Sequence, residues 1–259
     1  MLQRKIMQNT VSLCFIAWNE QQGCEIDLPL IDRTLFNEVF AIDGDSADET
    51  ISVFERFNIP VHKQRTRGLN AAYWQAVETS TSDHVIVFFP KGTLSPSILS
   101  TVKDHLLNGQ ELAIASRMAK GGRNEEDKRW FKPRKWGICC LALFAALVWR
   151  REGPIVWDVL HGVKGFSRRA FLAMNPSRAG VSIDLEMVVR SYRLRIPRVE
   201  FPVIEESRPF GTTKFKIIPT GIKLARFLLT EVLESLRQRP VAQAVSPASN
   251  SAWTIRSLL

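Results

Sequence analysis

The chain lacks the features that mark several large protein classes. Its cysteines, Cys14, Cys24, Cys139 and Cys140, show no metal-ligand spacing. The adjacent Cys139 and Cys140 lie inside an apolar run and read as helix filler rather than a disulfide. That run, residues 138–149, is the longest apolar stretch and is too short to span a bilayer, which needs about 20 residues. Residues 1–8 carry two basic side chains but no apolar h-region, so no secretory signal is read there and cytoplasmic residence is the expectation. There is no internal repeat and no recognisable nucleic-acid-binding motif. With 45% hydrophobic and 24% charged residues, 259 in all, the composition excludes wholesale disorder and suits one large core.

Charge is present but unevenly placed. Residues 1–100 hold 8 Lys/Arg against 12 Asp/Glu, a net of −4, whereas residues 101–259 hold 27 against 14, a net of +13. A basic half beside an acidic half suggests a surface that meets phosphates. Nucleic acid is the weakest such partner, because the acidic half would oppose its backbone. The apolar run at 138–149 is flanked by Lys132, Arg134, Lys135, Arg150 and Arg151, with Trp130, Trp136 and Trp149 at its margins. This pattern suits a helix lying at an anionic membrane surface, or equally a helix buried in the core.

The first hundred residues alternate strand and helix. Apolar runs at 11–17, 39–43, 59–62, 84–89 and 112–115 read as strands, and residues 69–77 form an amphipathic helix. Such alternation implies a mostly parallel sheet with helices on both faces. Beyond residue 117 come the apolar helix, strand-like pieces at 163–167 and 199–204 around a helix starting near Ser182, and a long basic helical stretch over 215–239. Residues 240–259 turn to Ala, Ser, Pro and Val and read as a disordered tail.

Two strand ends carry the chemistry. The strand over 39–43 ends on Asp43, Asp45 and Asp48, with Ser46 and Glu49 at capping-box spacing before the next helix. The strand over 11–17 ends likewise on Trp18, Asn19 and Glu20. Carboxylates at strand ends sit where α/β sheets bind ligands. Together these segments resemble the two nucleotide-binding loops of family 2 glycosyltransferases, written P-x-Y-N-E and V-D-D-G-S-x-D-x-T. The resemblance continues in order over roughly 200 residues. Arg67 to Ala72, containing Asn70, resembles the G-x-x-x-A segment under the nucleotide. Ala115-Ser116-Arg117 resembles G-S-R. Asp158 to Phe166, with His161, Gly162 and Lys164, resembles the D-x-x-N-G-F-R-x-F segment of the polyprenyl-phosphate mannosyl- and glucosyltransferase branch. Arg208 to Lys214 around Gly211 resembles the R-x-x-G-x-S-K loop of that branch.

The resemblance implies a GT-A (nucleotide-diphospho-sugar transferase) fold over residues 1–239. Its nucleotide-binding half covers about 8–116 and its acceptor- and membrane-facing half about 117–239, with a basic helical extension at the end. It implies an inverting hexosyltransferase, peripheral to a membrane, that uses a nucleotide-diphosphate sugar and a polyprenyl-phosphate acceptor. On this basis Trp18, Glu20, Asp43, Asp45, Asn70 and Arg117 are expected to bind the donor. Arg208 and Lys214 would hold a diphosphate or lipid phosphate, and Asp158, Lys91 and Asp184 are the catalytic candidates. The chain departs from the family at residues 88–96, where the strand should end in D-x-D or S-P-D-G-N and hold Mg²⁺ or Mn²⁺ on oxygen ligands. Pro90, Lys91 and Gly92 stand there instead, with no carboxylate, so no metal ligands are assigned. Either Lys91 neutralises the diphosphate or the site has decayed. The alternative function is therefore an inactive GT-A protein that binds a nucleotide or nucleotide sugar.

Overall fold

The computed structural model describes residues 9–124, 127, 130, 132–210 and 217–237. Seven strands form one sheet: β1 (Val11–Ala17), β2 (Glu38–Asp43), β3 (Val61–Lys63), β4 (His84–Phe88), β5 (Leu112–Ser116), β6 (Lys164–Ser167) and β7 (Arg198–Pro202). Their spatial order is β3-β2-β1-β4-β6-β5-β7. Every neighbouring pair is parallel except the two that β6 makes with β4 and β5. The mostly parallel sheet matches the sequence expectation; the wedging of a late strand between β4 and β5 carries no sequence signal.

This order creates the site. The chain leaves β1 toward β2 on one side and reaches β4 on the other, so their carboxyl ends flank a topological switch point, where open α/β sheets bind ligands. Because β6 runs backwards, its amino end lies at that same edge. Residues just before β6 thereby meet the loops that follow β1, β2, β4 and β5.

Side chains alternate across the strands. Cys14, Ile16, Phe40, Ile42, Val85 and Val87 face one core. It is completed by α3 (Leu69–Thr79), α5 (Pro133–Trp149), α6 (Arg168–Met174), α7 (Ile183–Arg193) and α8 (Ile217–Arg237). Leu13, Phe15, Ala17, Ile86 and Phe88 face the other, covered by α1 (Gln21–Asp27), α2 (Thr50–Arg56) and α4 (Ile98–Leu107). α8 is fastened to α7 by Glu231, which accepts from Arg190 Nη2 at 3.0 Å and pairs with Arg193.

Several local expectations are corrected. α2 starts at Thr50, and the oxygen that receives its first amide is Asp48 Oδ1, 3.0 Å from Thr50 N. The Ser46–Glu49 capping box is not formed, since Ser46 is drawn into the preceding loop. α5 buries one face in the core and exposes the other. Ile138, Ala142, Ala145, Ala146 and Trp149 are buried at helical spacing, while Trp136, Leu143, Phe144 and Leu147 are exposed. Trp149 is therefore a core residue, not a membrane-edge marker, and its indole N–H donates to Ser235 Oγ of α8 at 3.0 Å. No described helix is long and apolar enough to cross a membrane. The tail at 240–259 lies outside the described residues.

Phe166 is fully buried between β4 and β5 and stacks on Tyr73 and Phe171. Phe166→Ala should cost about 3–5 kcal/mol in denaturant unfolding. Leu147→Ser, on the outward face of α5, should stay within about 0.5 kcal/mol. A large loss at Leu147 would mean that this face is covered.

Candidate active site

The loops after β1 and β2 are laced into one unit. Asp43 is buried at the end of β2, and its carboxylate is already used. Oδ2 accepts from Asp45 N at 3.0 Å and Ser46 N at 2.8 Å, and Oδ1 accepts from the Ser46 hydroxyl at 2.5 Å. Across the gap, Asn19 N donates to Ser46 Oγ and Asn19 Oδ1 accepts from Ala47 N, at 2.8 and 2.7 Å. Glu20 N donates to Thr50 Oγ1 at 2.9 Å. Asp43 thus shapes the loop through three accepted hydrogen bonds. Asp45 extends to solvent, where its carboxylate meets Lys63 Nζ at 2.7 Å; the lysine's hydrogen bond and charge lower its pKa. The Trp18 ring is half exposed at the mouth of this unit, its Cβ packed against Gly44.

The loop after β4 is gripped from beneath by α1. At Gly23 any Cβ would lie 2.2 Å from the Pro90 carbonyl oxygen, so only glycine lets the helix come this close. One turn on, Asp27 Oδ2 accepts from Gly92 N at 2.9 Å, at a glycine with φ of +64°. Burial pushes the Asp27 carboxyl up to about 6, against the pull of the Gly92 and Lys91 amides. On the other side Glu206 N donates to Thr93 O at 2.9 Å. Lys91 is thereby held with its ammonium over the Phe89 ring, 4.9 Å from the centroid. Among the described residues that ammonium makes no hydrogen bond or ion pair. Burial lowers its pKa and the neighbouring Arg208 charge lowers it further, with Glu205 and Glu20 opposing.

Deeper in the site, Arg117 gathers two carboxylates. Its Nε and Nη2 reach Asp158 at 2.7 and 2.8 Å, its backbone N donates to Asp158 Oδ2 at 3.0 Å, and its Nη1 reaches Glu205 at 2.9 Å. Burial pushes the Asp158 carboxyl up, but the Arg117 charge and hydrogen bonds outweigh it and hold the group at about 2. Asp158 is therefore ionised and paired, and Arg117 is engaged by both carboxylates. His161, buried beside them, accepts from Val163 N through Nδ1 at 3.2 Å, so its neutral ring carries the proton on Nε2. Burial and the Arg117 charge lower its pKa to about 4.

Asp184 faces the same space from the first turn of α7. Its Oδ1 is 2.6 Å from Lys164 Nζ, an ammonium with no solvent exposure, and 3.5 Å from the Tyr73 hydroxyl. Burial raises the Asp184 pKa, with Lys164 opposing. Asn70 is buried at the junction of α3 and α7. Both its amide protons are spent, on Ser177 O and Glu186 Oε1 at 2.9 and 3.0 Å, and its Oδ1 accepts from Ile183 N at 3.0 Å. It clamps α3 to α7.

Two residues assigned to different tasks meet each other. Arg208 Nη2 and Nη1 lie 3.1 and 3.3 Å from the two oxygens of Glu20, a bidentate pair across the mouth of the site. Gly211 and Lys214 lie outside the described residues. Among the described residues no group of three His, Cys, Asp or Glu side chains converges as a metal site. Sequence reading missed Glu205 and Asp27 entirely. Glu205 follows β7 directly, which was a usable signal, but nothing local marks Asp27.

No family model matches this chain. It is 24% identical over 217 residues to a dolichol-phosphate mannosyltransferase of Pyrococcus furiosus, covering 80% of this chain and 59% of that protein. It is 26% identical over 178 residues to glycosyltransferase AglJ of Haloferax volcanii, covering 68% and 56%. The chain thus spans a little over half the length of these curated relatives. Among solved structures it is similar to glucosyl-3-phosphoglycerate synthase of Mycobacterium tuberculosis. The complex with Mn²⁺, UDP and phosphoglyceric acid gives a TM-score of 0.67 at 17% identity, covering 86% of this chain and 78% of that one. The complex with phosphoglyceric acid alone gives 0.66 at 18%, covering 86% and 80%. The chain has the GT-A fold of these solved structures, and over most of its length its sequence is similar to named glycosyltransferases.

The buried titrating groups fix an acid response. Unfolded, an imidazole binds its proton near pH 6.5; in the fold His161 does so only near 4. The stability this neutral ring contributes is complete above 6.5 and lost as pH falls toward 4, on the order of 3 kcal/mol at about 1.4 kcal/mol per pH unit. Asp158 adds a lower window in the same sense, complete above its ordinary 3.8 and lost toward 2. Asp27, raised to about 6, acts in the opposite sense between 3.8 and 6, so denaturant unfolding should show the His161 contribution as the difference between the wild type and His161→Asn. That difference should be confined to the upper window; an unchanged slope there would clear His161 of the effect.

Proposed function

We propose that this protein transfers a glycosyl group from a nucleoside-diphosphate sugar to a phosphate-bearing lipid acceptor at a membrane surface. The observation that carries this reading is the convergence at one sheet edge of the laced β1 and β2 loops with the cations Lys91 and Arg208. The nucleoside would lie against the loops beside Trp18, and its diphosphate would point toward the two cations. Relatives named for dolichol-phosphate mannosyl transfer, and structural neighbours holding UDP, support the donor and acceptor classes.

The charge state of the site favours a phosphate acceptor. An acceptor phosphate oxygen would attack the anomeric carbon, forming a C–O bond as the bond from that carbon to the diphosphate breaks in line. The bonding pair leaves on the diphosphate oxygen. A phosphate monoester with a second pKa of about 6 is already anionic at neutral pH, so no proton need be removed. This agrees with Asp158, which Arg117 holds ionised and occupied. A hydroxyl acceptor would need a base, whereas Asp158 is paired with Arg117 and Asp184 with Lys164.

The membrane would be met by the outward faces of α5 and α8, which touch through Trp149 and Ser235. Trp136, Leu143, Phe144 and Leu147 are exposed on one, and Ile222, Leu229, Leu233 and Leu236 on the other, with Lys223 and Arg226 beside them. Exposed apolar stripes bordered by cations on two helices in contact suit an anionic interface.

A screen of UDP- and GDP-sugars with polyprenyl phosphate in anionic vesicles should find one donor that is turned over. If no donor is turned over and neither UDP nor GDP binds, the proposal fails. Calorimetry should show Trp18→Ala weakening nucleotide binding by about 1–3 kcal/mol, the cost of a lost base–aromatic stack. Unaltered affinity would remove Trp18 from the donor site. Flotation should show binding to anionic vesicles at low salt that Leu147→Asp with Leu229→Asp abolishes, whereas no binding at low salt rejects the membrane face.

A further inference from the structure

We propose that Lys91 supplies the positive charge that stabilises the donor's diphosphate, making donor binding independent of any divalent metal. This rests on the nucleotide-sugar reading above and adds to it the means by which the leaving group is held.

The carboxylates around the site do not fit a hard divalent ion, which takes its ligands from free oxygens at close to ideal geometry. Asp158 and Glu205 are both bound to Arg117. Glu20 is bidentate to Arg208. Asp184 is held by Lys164, and Asp27 by the Gly92 amide. The loop after β4 offers no acidic side chain at all, and among the described residues no three candidate ligands converge. Recruiting Asp158, Glu205 or Asp184 would strip Arg117 or Lys164 of a partner.

The same accounting singles out Lys91. Arg117 has two carboxylates and Arg208 has one, yet among the described residues Lys91 has none in contact, and its half-buried ammonium lies over the face of Phe89. A partly desolvated ammonium with no carboxylate against it suits an incoming anion. Its backbone is fixed from below by Gly23 and Asp27 and from the side by Thr93 and Glu206, so the charge is placed before any ligand arrives. It also lies within electrostatic range of Glu20, Arg208 and Arg117, the groups surrounding the expected path of the diphosphate. A divalent ion here would face this ammonium directly and be repelled, whereas a diphosphate would be attracted. As the sugar–diphosphate bond breaks, charge collects on the departing oxygen, and a pre-positioned cation is most useful there.

Calorimetry separates the outcomes, with UDP, GDP and the corresponding monophosphates as probes, each in chelator and in Mg²⁺ or Mn²⁺. The wild-type protein should bind a diphosphate equally in both. Lys91→Ala should weaken the diphosphate about ten- to a hundredfold, the range for losing a charged hydrogen bond. It should leave the nucleoside monophosphate within about threefold, and Lys91→Arg should restore most of the loss. Thermal melting establishes that the variants are folded. Diphosphate binding that chelator abolishes and metal restores would overturn the role of Lys91 while leaving the nucleotide-sugar reading intact. Equal diphosphate affinity in folded Lys91→Ala would overturn it as well. Absence of any nucleotide binding, with or without metal, would overturn the underlying reading and this inference together.

Discussion

The site depends on what Arg117 does with its guanidinium. By taking Asp158 on one edge and Glu205 on another, it ties the end of β5 to the segment before β6 and the segment after β7. Breaking such a buried arrangement by removing one partner typically costs about 3–5 kcal/mol, because a charge is left stranded. The knot is therefore rigid, and its consequences spread. Asp158 cannot serve as a base while it answers this charge. His161, packed beside the guanidinium, is kept neutral. Glu205, drawn to Arg117, is not in contact with Lys91. One cation's satisfaction leaves another available.

That distribution of charge is possible only because β6 runs against its neighbours. A parallel strand between β4 and β5 would bring its carboxyl end to this edge and send residues 158–164 to the opposite one. Run in reverse, it delivers Asp158, His161 and Lys164 to the floor of the site, where Lys164 meets Asp184 of α7. Topology, more than any single motif, assembles residues separated by most of the chain: Glu20 with Arg208, Asn70 with Glu186, Thr93 with Glu206.

Sequence reading succeeded where signals were local. Strands β1, β2 and β4 are short apolar runs buried on both faces, and α3 follows its apolar period. The family resemblance then supplied the fold. What sequence could not reveal was which polar residues were already spoken for. Asp43 and Asn70 sit in ligand-like motifs, yet each is consumed by its own loop or helix junction. The motif and the scaffold use the same residue type for different ends, because a carboxylate that shapes a nucleotide loop satisfies backbone amides just as it would satisfy a ribose. Asp27 was invisible for a related reason: its partner, the Gly92 amide, lies 65 residues away across a helix–loop contact. The half-buried α5 was underdetermined rather than misread, since a run of small and large apolar residues is consistent with both faces.

The paired state of Glu20 and Arg208 gives the last step in this logic. Lys91, Arg117 and Arg208 lie close enough that, in an empty site, their mutual repulsion would oppose folding. The carboxylates of Glu20, Glu205 and Asp158 offset it; Glu20 and Glu205 keep some access to solvent, whereas Asp158 has none. In the proposed reaction a diphosphate brings its own negative charge, so it can take over Arg208 while Glu20 turns to the ligand's hydrogen-bond donors. The exchange conserves the number of charged contacts, and breaking the pair is compensated as the new one forms. An interior ion pair such as Lys164–Asp184, sealed from water, could not be exchanged this way without stranding both partners. The arrangement is thus graded by depth. In the Lys164–Asp184 pair the ammonium is closed to water, the Arg208–Glu20 pair keeps access to it, and among the described residues the Lys91 ammonium has no carboxylate in contact.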